Sequence, residues 1–187
     1  MTPPHRGAVL LGTICLAALA CRLNLGGPEI PAAGNTSPAA ATRAASAWSE
    51  ALAGAVTTGQ ITVILNEEEL TSALAARVES SDDPVFHSPV VQLRDGVIQI
   101  YGIATSGPVD ANVRFIVTPT IDVEGQLRFE LSSADFGPLP APESMRKALS
   151  DMLSEALGGT LGTLATGFRV TSVAVDDGDL AIVAEMR

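Results

Sequence analysis

The stretch Val91-Gln92-Leu93-Arg94-Asp95-Gly96-Val97-Ile98-Gln99-Ile100 decides the fold class. Two apolar runs flank Asp-Gly, a pair that accepts the positive φ angles of a two-residue hairpin turn. Toward the C-terminus the period-two pattern continues. Val113, Phe115 and Val117 come first, followed after Glu124-Gly125 by Leu127, Phe129 and Leu131 alternating with Arg128 and Glu130. This alternation predicts an antiparallel meander with one buried face. Phe136-Gly137-Pro138-Leu139-Pro140-Ala141-Pro142 ends it, because proline cannot donate to a strand ladder.

Working back from the hairpin, Asn66-Glu67-Glu68-Glu69 reads as a helix start. Asn66 is the N-cap, the acids lie in the first turn and Glu69 occupies the capping-box position. The apolar face of that helix is Leu70, Ala73, Leu74 and Val78. Gln60 to Leu65 before it is a β-branched strand, and residues 42–57 read as a helix with Ala45, Trp48, Leu52 and Val56 at helical spacing. Beyond the meander, a helix from Pro142 to Leu157 carries the stripe Met145, Leu149, Met152, Leu153, Ala156 and Leu157. A last hairpin joins Phe168–Val175 to Leu180–Met186 through Asp176-Asp177-Gly178. The order predicts an α+β domain in which a curved antiparallel sheet wraps around the long amphipathic helix 142–157.

Ahead of this domain, residues 1–21 read MTPPHRGAVLLGTICLAALAC. Ala8 to Ala20 is an apolar run shorter than the roughly 20 residues that span a bilayer, so it reads as a signal h-region behind Arg6. Ala18-Leu19-Ala20-Cys21 resembles a bacterial lipoprotein lipobox, which implies a diacylated (palmitate-bearing) Cys21 as the mature N-terminus. Residues 22–41, rich in Gly, Pro, Ala and Ser, read as a flexible tether with a reach of about 25 Å. Residues 42–187 form the single domain, about 145 residues, enough to bury a core without a metal or disulfide. The expected location is the extracytoplasmic face of the cell membrane or outer membrane.

Charge and residue types exclude much. Removing residues 1–20 takes away Arg6 and no acid, so the net charge moves from −10 to −11. Nucleic acid needs a cationic face and is not an expected partner. No cysteine follows Cys21, and His87 is the one histidine after the leader, so neither a cysteine zinc site nor a His-rich metal site is available. No G-x-S-x-G elbow, P-loop, G-x-G-x-x-G or H-E-x-x-H occurs. His87 beside Ser88-Pro89 reads as structural, and the Asp-Gly and Glu-Gly pairs read as turns rather than calcium ligands. No catalysis, metal or cofactor is expected.

Several segments together resemble one family: Thr62-Val63-Ile64-Leu65-Asn66-Glu67-Glu68-Glu69-Leu70, the hairpin 91–100, Phe136–Pro142 leading into the long helix, and the closing hairpin at Asp177-Gly178-Asp179-Leu180-Ala181-Ile182. In order and spacing they are similar to the bacterial LmeA-like phospholipid-binding proteins and the related YpmS-like lipoproteins. The resemblance covers residues 60–187 and does not require the helix 42–57. It implies a tubular lipid-binding (TULIP-like) half-module whose sheet and long helix enclose an apolar groove. On this chain the groove would draw on Leu70, Leu74, Phe115, Phe129, Met145, Leu149, Met152 and Leu153. The expected partners are the membrane, through the anchor, and a phospholipid or other long apolar ligand. The alternative is a solidly packed structural lipoprotein whose acidic surface meets another envelope protein.

Overall fold

The structure, a computed structural model, describes residues 23–32, 36–80, 85–137 and 168–186, together with Glu143 and Lys147. The elements in chain order are β1 (Leu23–Asn24), α1 (Pro38–Thr58), β2 (Gln60–Asn66), α2 (Glu67–Glu79), β3 (Phe86–Arg94), β4 (Val97–Ser106), β5 (Val109–Ile121), β6 (Leu127–Asp135), β7 (Phe168–Asp176) and β8 (Asp179–Met186). The expected α+β class holds, with its strands divided between two sheets. The larger runs β1-β5-β4-β3, with β6 on the same edge of β5 as β1; the smaller runs β2-β8-β7. All pairings are antiparallel except β1 with β5. The long helix expected at 142–157 lies outside the described residues, apart from Glu143 and Lys147.

The local signals explain the elements. Asp95 (φ 55°) and Gly96 (φ 77°) both take the left-handed conformation that a tight hairpin turn requires. Asn66 caps α2 as read. Its side chain accepts from the Glu69 N–H at 2.9 Å, and the Glu69 carboxylate accepts from the Asn66 N–H at 3.2 Å.

Two readings need correction. The segment 22–41 is not a free tether throughout: Leu23–Asn24 pair with Val109–Asp110, and the first helix begins at Pro38 rather than 42. Ser37 is its cap, accepting from the Ala40 N–H, and Pro38 sits at the first turn, where its missing N–H costs nothing. The buried face of α1 is also rotated from the expected one. Ala40, Ala44, Trp48 and Ala55 are buried, whereas Ala45, Leu52 and Val56 are exposed, Val56 by 81%. Small alanines let α1 approach closely, and this outweighs the larger side chains of the other face.

Both helices and both sheets share one core. Ile61, Val63 and Leu65 of β2, Leu180 and Ile182 of β8, Leu70, Leu74 and Val78 of α2, and Leu93, Ile98, Ile100 and Phe115 of the larger sheet belong to a single buried cluster. Phe115 stands edge-on to both Phe86 (5.9 Å) and Phe136 (5.7 Å), an arrangement that aromatic quadrupoles favour. Gly102 of β4 makes room for this stack, since a Cβ there would lie 2.4 Å from the Phe86 ring and 2.8 Å from the His87 carbonyl. Gly102→Ala is therefore expected to lower unfolding stability by about 1–3 kcal/mol, the usual range for overpacking, measured as a lower urea midpoint at unchanged m.

Candidate functional site

Among the described residues β6 pairs only with β5 and β7 only with β8, so each is an edge of its described sheet. Their inward side chains follow the core register. On β6, Leu127, Phe129 and Leu131 pair with Ile121, Pro119 and Val117. On β7, Val170, Val173 and Val175 pair with Ala184, Ile182 and Leu180. The β8 partners are buried; the edge-strand residues are half-buried or, for Leu131, 38% exposed. Leu127, Phe129, Phe168, Val170, Val173 and Val175 pack against the core without being closed into it. At one end the two edges are tied together: the Val170 N–H donates to the Gly125 carbonyl at 2.8 Å, and the Arg169 stem lies where a Cβ on Gly125 would be. The sequence joining β6 to β7 carries the stripe Met145, Leu149, Met152 and Leu153, which lies outside the described residues.

The expected groove residues therefore divide. Leu70, Leu74 and Phe115 are buried in the core, and Phe115 is 1% exposed. Phe129 of β6 is half-buried and packs against that core. Val170, Val173 and Val175 were not anticipated: Val173 and Val175 alternate in FRVTSVAVD, but Val170 has the opposite parity and joins their row only through the bulge between Val170 and Ser172. What the sequence does not show is that β7 is an edge.

A second depression lies elsewhere. A cavity of about 400 Å³ is lined by Thr36, Ala75, Val78, Glu79, His87, Ser88 and Pro89, and a smaller one of about 170 Å³ adjoins it. It sits where β3 bulges between His87 and Val90, with Ser88 at φ 50°. Its lining mixes small apolar and polar groups, unlike the continuous aliphatic and aromatic seam.

The acidic clusters resolve into structural roles. Glu67 accepts from the Leu93 N–H at 2.8 Å and pairs with Arg94; Arg43 meets Glu68 and Glu69. Asp122 folds the β5–β6 turn by accepting from the Gln126 and Glu124 N–H groups and from Arg128. Among the described residues, no group of three or more His, Cys, Asp or Glu side chains could hold a metal ion.

A family model described as LmeA-like phospholipid-binding matches residues 39–185. The chain belongs to this LmeA-like phospholipid-binding family. The match takes in both helices and every strand except β1, and it includes both edges of the seam. A search of curated proteins returned no match.

The turn beside the seam titrates with a definite sign. The Gln126 N–H above all holds the Asp122 carboxyl below the usual carboxylate range; desolvation opposes it, and Arg128 and the Glu124 N–H add to the lowering. A depressed folded pKa stabilises fully above the unfolded value of about 3.9, and that stabilisation is lost as pH falls through the folded value. Arg128→Gln is expected to move the Asp122 midpoint upward, and Gln126→Pro, which removes the largest contribution, to move it further; carboxyl NMR titration checks both.

Proposed function

We propose that this chain is an exported cell-envelope lipoprotein that binds a phospholipid or another long apolar molecule in a groove along the β6–β7 seam, without catalysis. The observation that carries the reading is the row of half-buried apolar side chains on two strands that are sheet edges among the described residues, in a chain of a phospholipid-binding family. Phe129 and Leu131 on one side and Val170 and Val173 on the other offer aliphatic and aromatic contact without fixed polar partners, which suits an acyl chain. The linking sequence adds Met145 and Met152, whose flexible thioethers adapt to varied apolar shapes. About twelve sheltered methylenes would contribute roughly 10 kcal/mol gross, much of it offset by the ordering that binding requires.

In this reading Cys21 carries the acyl anchor and holds the domain on the extracytoplasmic face of the cell membrane or outer membrane. The lipobox-like Ala18-Leu19-Ala20-Cys21 supports it. A second reading, a structural lipoprotein docking on another envelope protein, draws on the tight burial of Leu70, Leu74 and Phe115.

Native mass spectrometry of the chain purified from a bacterial host tests the first against the second. The expected result is a population carrying phospholipid mass, lost in Leu131→Glu while the unfolding curve is retained, because Leu131 already reaches solvent. A chain that never carries lipid would leave the structural reading. Separately, Cys21→Ser is expected to move the protein out of the membrane fraction.

A further inference from the structure

The residues immediately after Cys21 are not slack. Leu23 and Asn24 run parallel to Val109 and Asp110 at the start of β5. The Leu25 N–H donates to the Asp110 carbonyl at 2.9 Å, and the Asn112 N–H donates to the Gly26 carbonyl at 2.9 Å. The Asn112 side-chain amide reaches the Pro28 carbonyl at 3.3 Å. Gly27 fits so closely that a Cβ on it would lie 2.2 Å from the Asn112 carbonyl oxygen, and Gly137 presses on Gly27 from the other side. This latch lies outside the segment that matches the family.

Pairing in parallel fixes direction. β1 begins at the end of the sheet where β5 begins, beside the Gly107-Pro108 turn. Two residues of chain span at most about 7 Å, so Cys21 stays within that distance of Leu23. The four described hairpin turns divide accordingly. The one beside the latch, Gly107-Pro108, is uncharged. Asp110 follows it two residues on and accepts from the Thr105 hydroxyl; the other three turns carry Asp95 after Arg94, Asp122 and Glu124 with Arg128, and Asp176 with Asp177, more acid than base, and β5, 13 residues long, places its far turn about 40 Å away at 3.3 Å per residue. Anionic headgroups repel acidic turns and tolerate a neutral one.

We propose that the latch of residues 23–28 on β5 orients the domain on the membrane, with the Gly107-Pro108 turn against the lipid surface and the acidic turns pointing away. This rests on the anchor reading of Cys21. In that orientation, the latch replaces a 20-residue swing with a two-residue one. The cavity at His87 and Pro89 lies toward the same end, since Phe86 pairs with Ala104, close to that turn.

The test uses the processed full-length lipoprotein in vesicles containing a headgroup-nitroxide lipid. A cysteine is introduced at Pro108→Cys or at Val123→Cys, and each is labelled with a fluorophore. Val123 is 96% exposed at the far turn. Intact mass is read first: a processed chain without acyl mass on Cys21 overturns the anchor reading and this one with it. With the acyl group present, the label at position 108 is expected to be quenched several-fold more than that at 123. Adding Gly27→Val, which wedges the latch from Asn112, is expected to bring the two toward equality while the unfolding curve is kept. Equal quenching before the wedge, or an unchanged difference after it, overturns the orientation and leaves the anchor standing.

Discussion

The fold depends on how the outer edge of β3 is covered. Alternate N–H groups of that strand, those of Val91 and Leu93, point away from β4 and would be orphaned at the core boundary. α2 supplies both acceptors one helical turn apart: the Thr71 hydroxyl oxygen takes the Val91 N–H at 2.9 Å, and the Glu67 carboxylate takes that of Leu93. A buried donor left unsatisfied costs about 1–3 kcal/mol, and an open edge invites pairing with other chains. The β7–β8 turn completes the junction, because Gly178 donates to the Leu93 carbonyl and accepts from the Glu67 N–H. One short region around Glu67 thus joins the larger sheet, the smaller sheet and the helix between them.

The other edges are treated differently. β3 is sealed by a helix carrying matched polar groups, whereas β6 and β7 present inward apolar side chains only partly covered by their own sheets. Among the described residues, hydrogen bonds are thus satisfied at one edge, while half-buried aliphatic side chains line the others. The Val170 N–H bond to the Gly125 carbonyl ties the start of β7 to the β5–β6 turn.

How much of this was legible follows from the range of the interactions concerned. Asp95-Gly96, Asn66 with Glu69, and the alternation of Val113, Phe115 and Val117 act within a few residues, and all are realised. The buried face of α1 was misjudged because side-chain size was weighed above closeness of approach, and Ala40, Ala44 and Ala55 carry no periodic signal that larger neighbours do not mask. β1 is two residues long and held by a distant strand, so nothing local marks it. The division into two sheets, and with it the status of β6 and β7 as edges, is set by pairings between remote segments. The half-buried position of Phe129 on β6 follows from its alternation with Arg128 and Glu130. Leu70, Leu74 and Phe115 were assigned to the groove by the same apolar character that any core residue shows.

The smaller sheet has a consequence for the order in which the molecule can be assembled. Among the described residues β2 pairs with β8 alone, so residues 60–66 wait for residues 179–186 before their ladder closes. Such remote pairing makes closure slow relative to local hairpins. The hairpin of β3 and β4 can form early, but Ile61, Val63 and Leu65 keep an unpaired apolar face until the final strand arrives. The closing of the smaller sheet is therefore timed by a strand more than a hundred residues downstream of the one it completes.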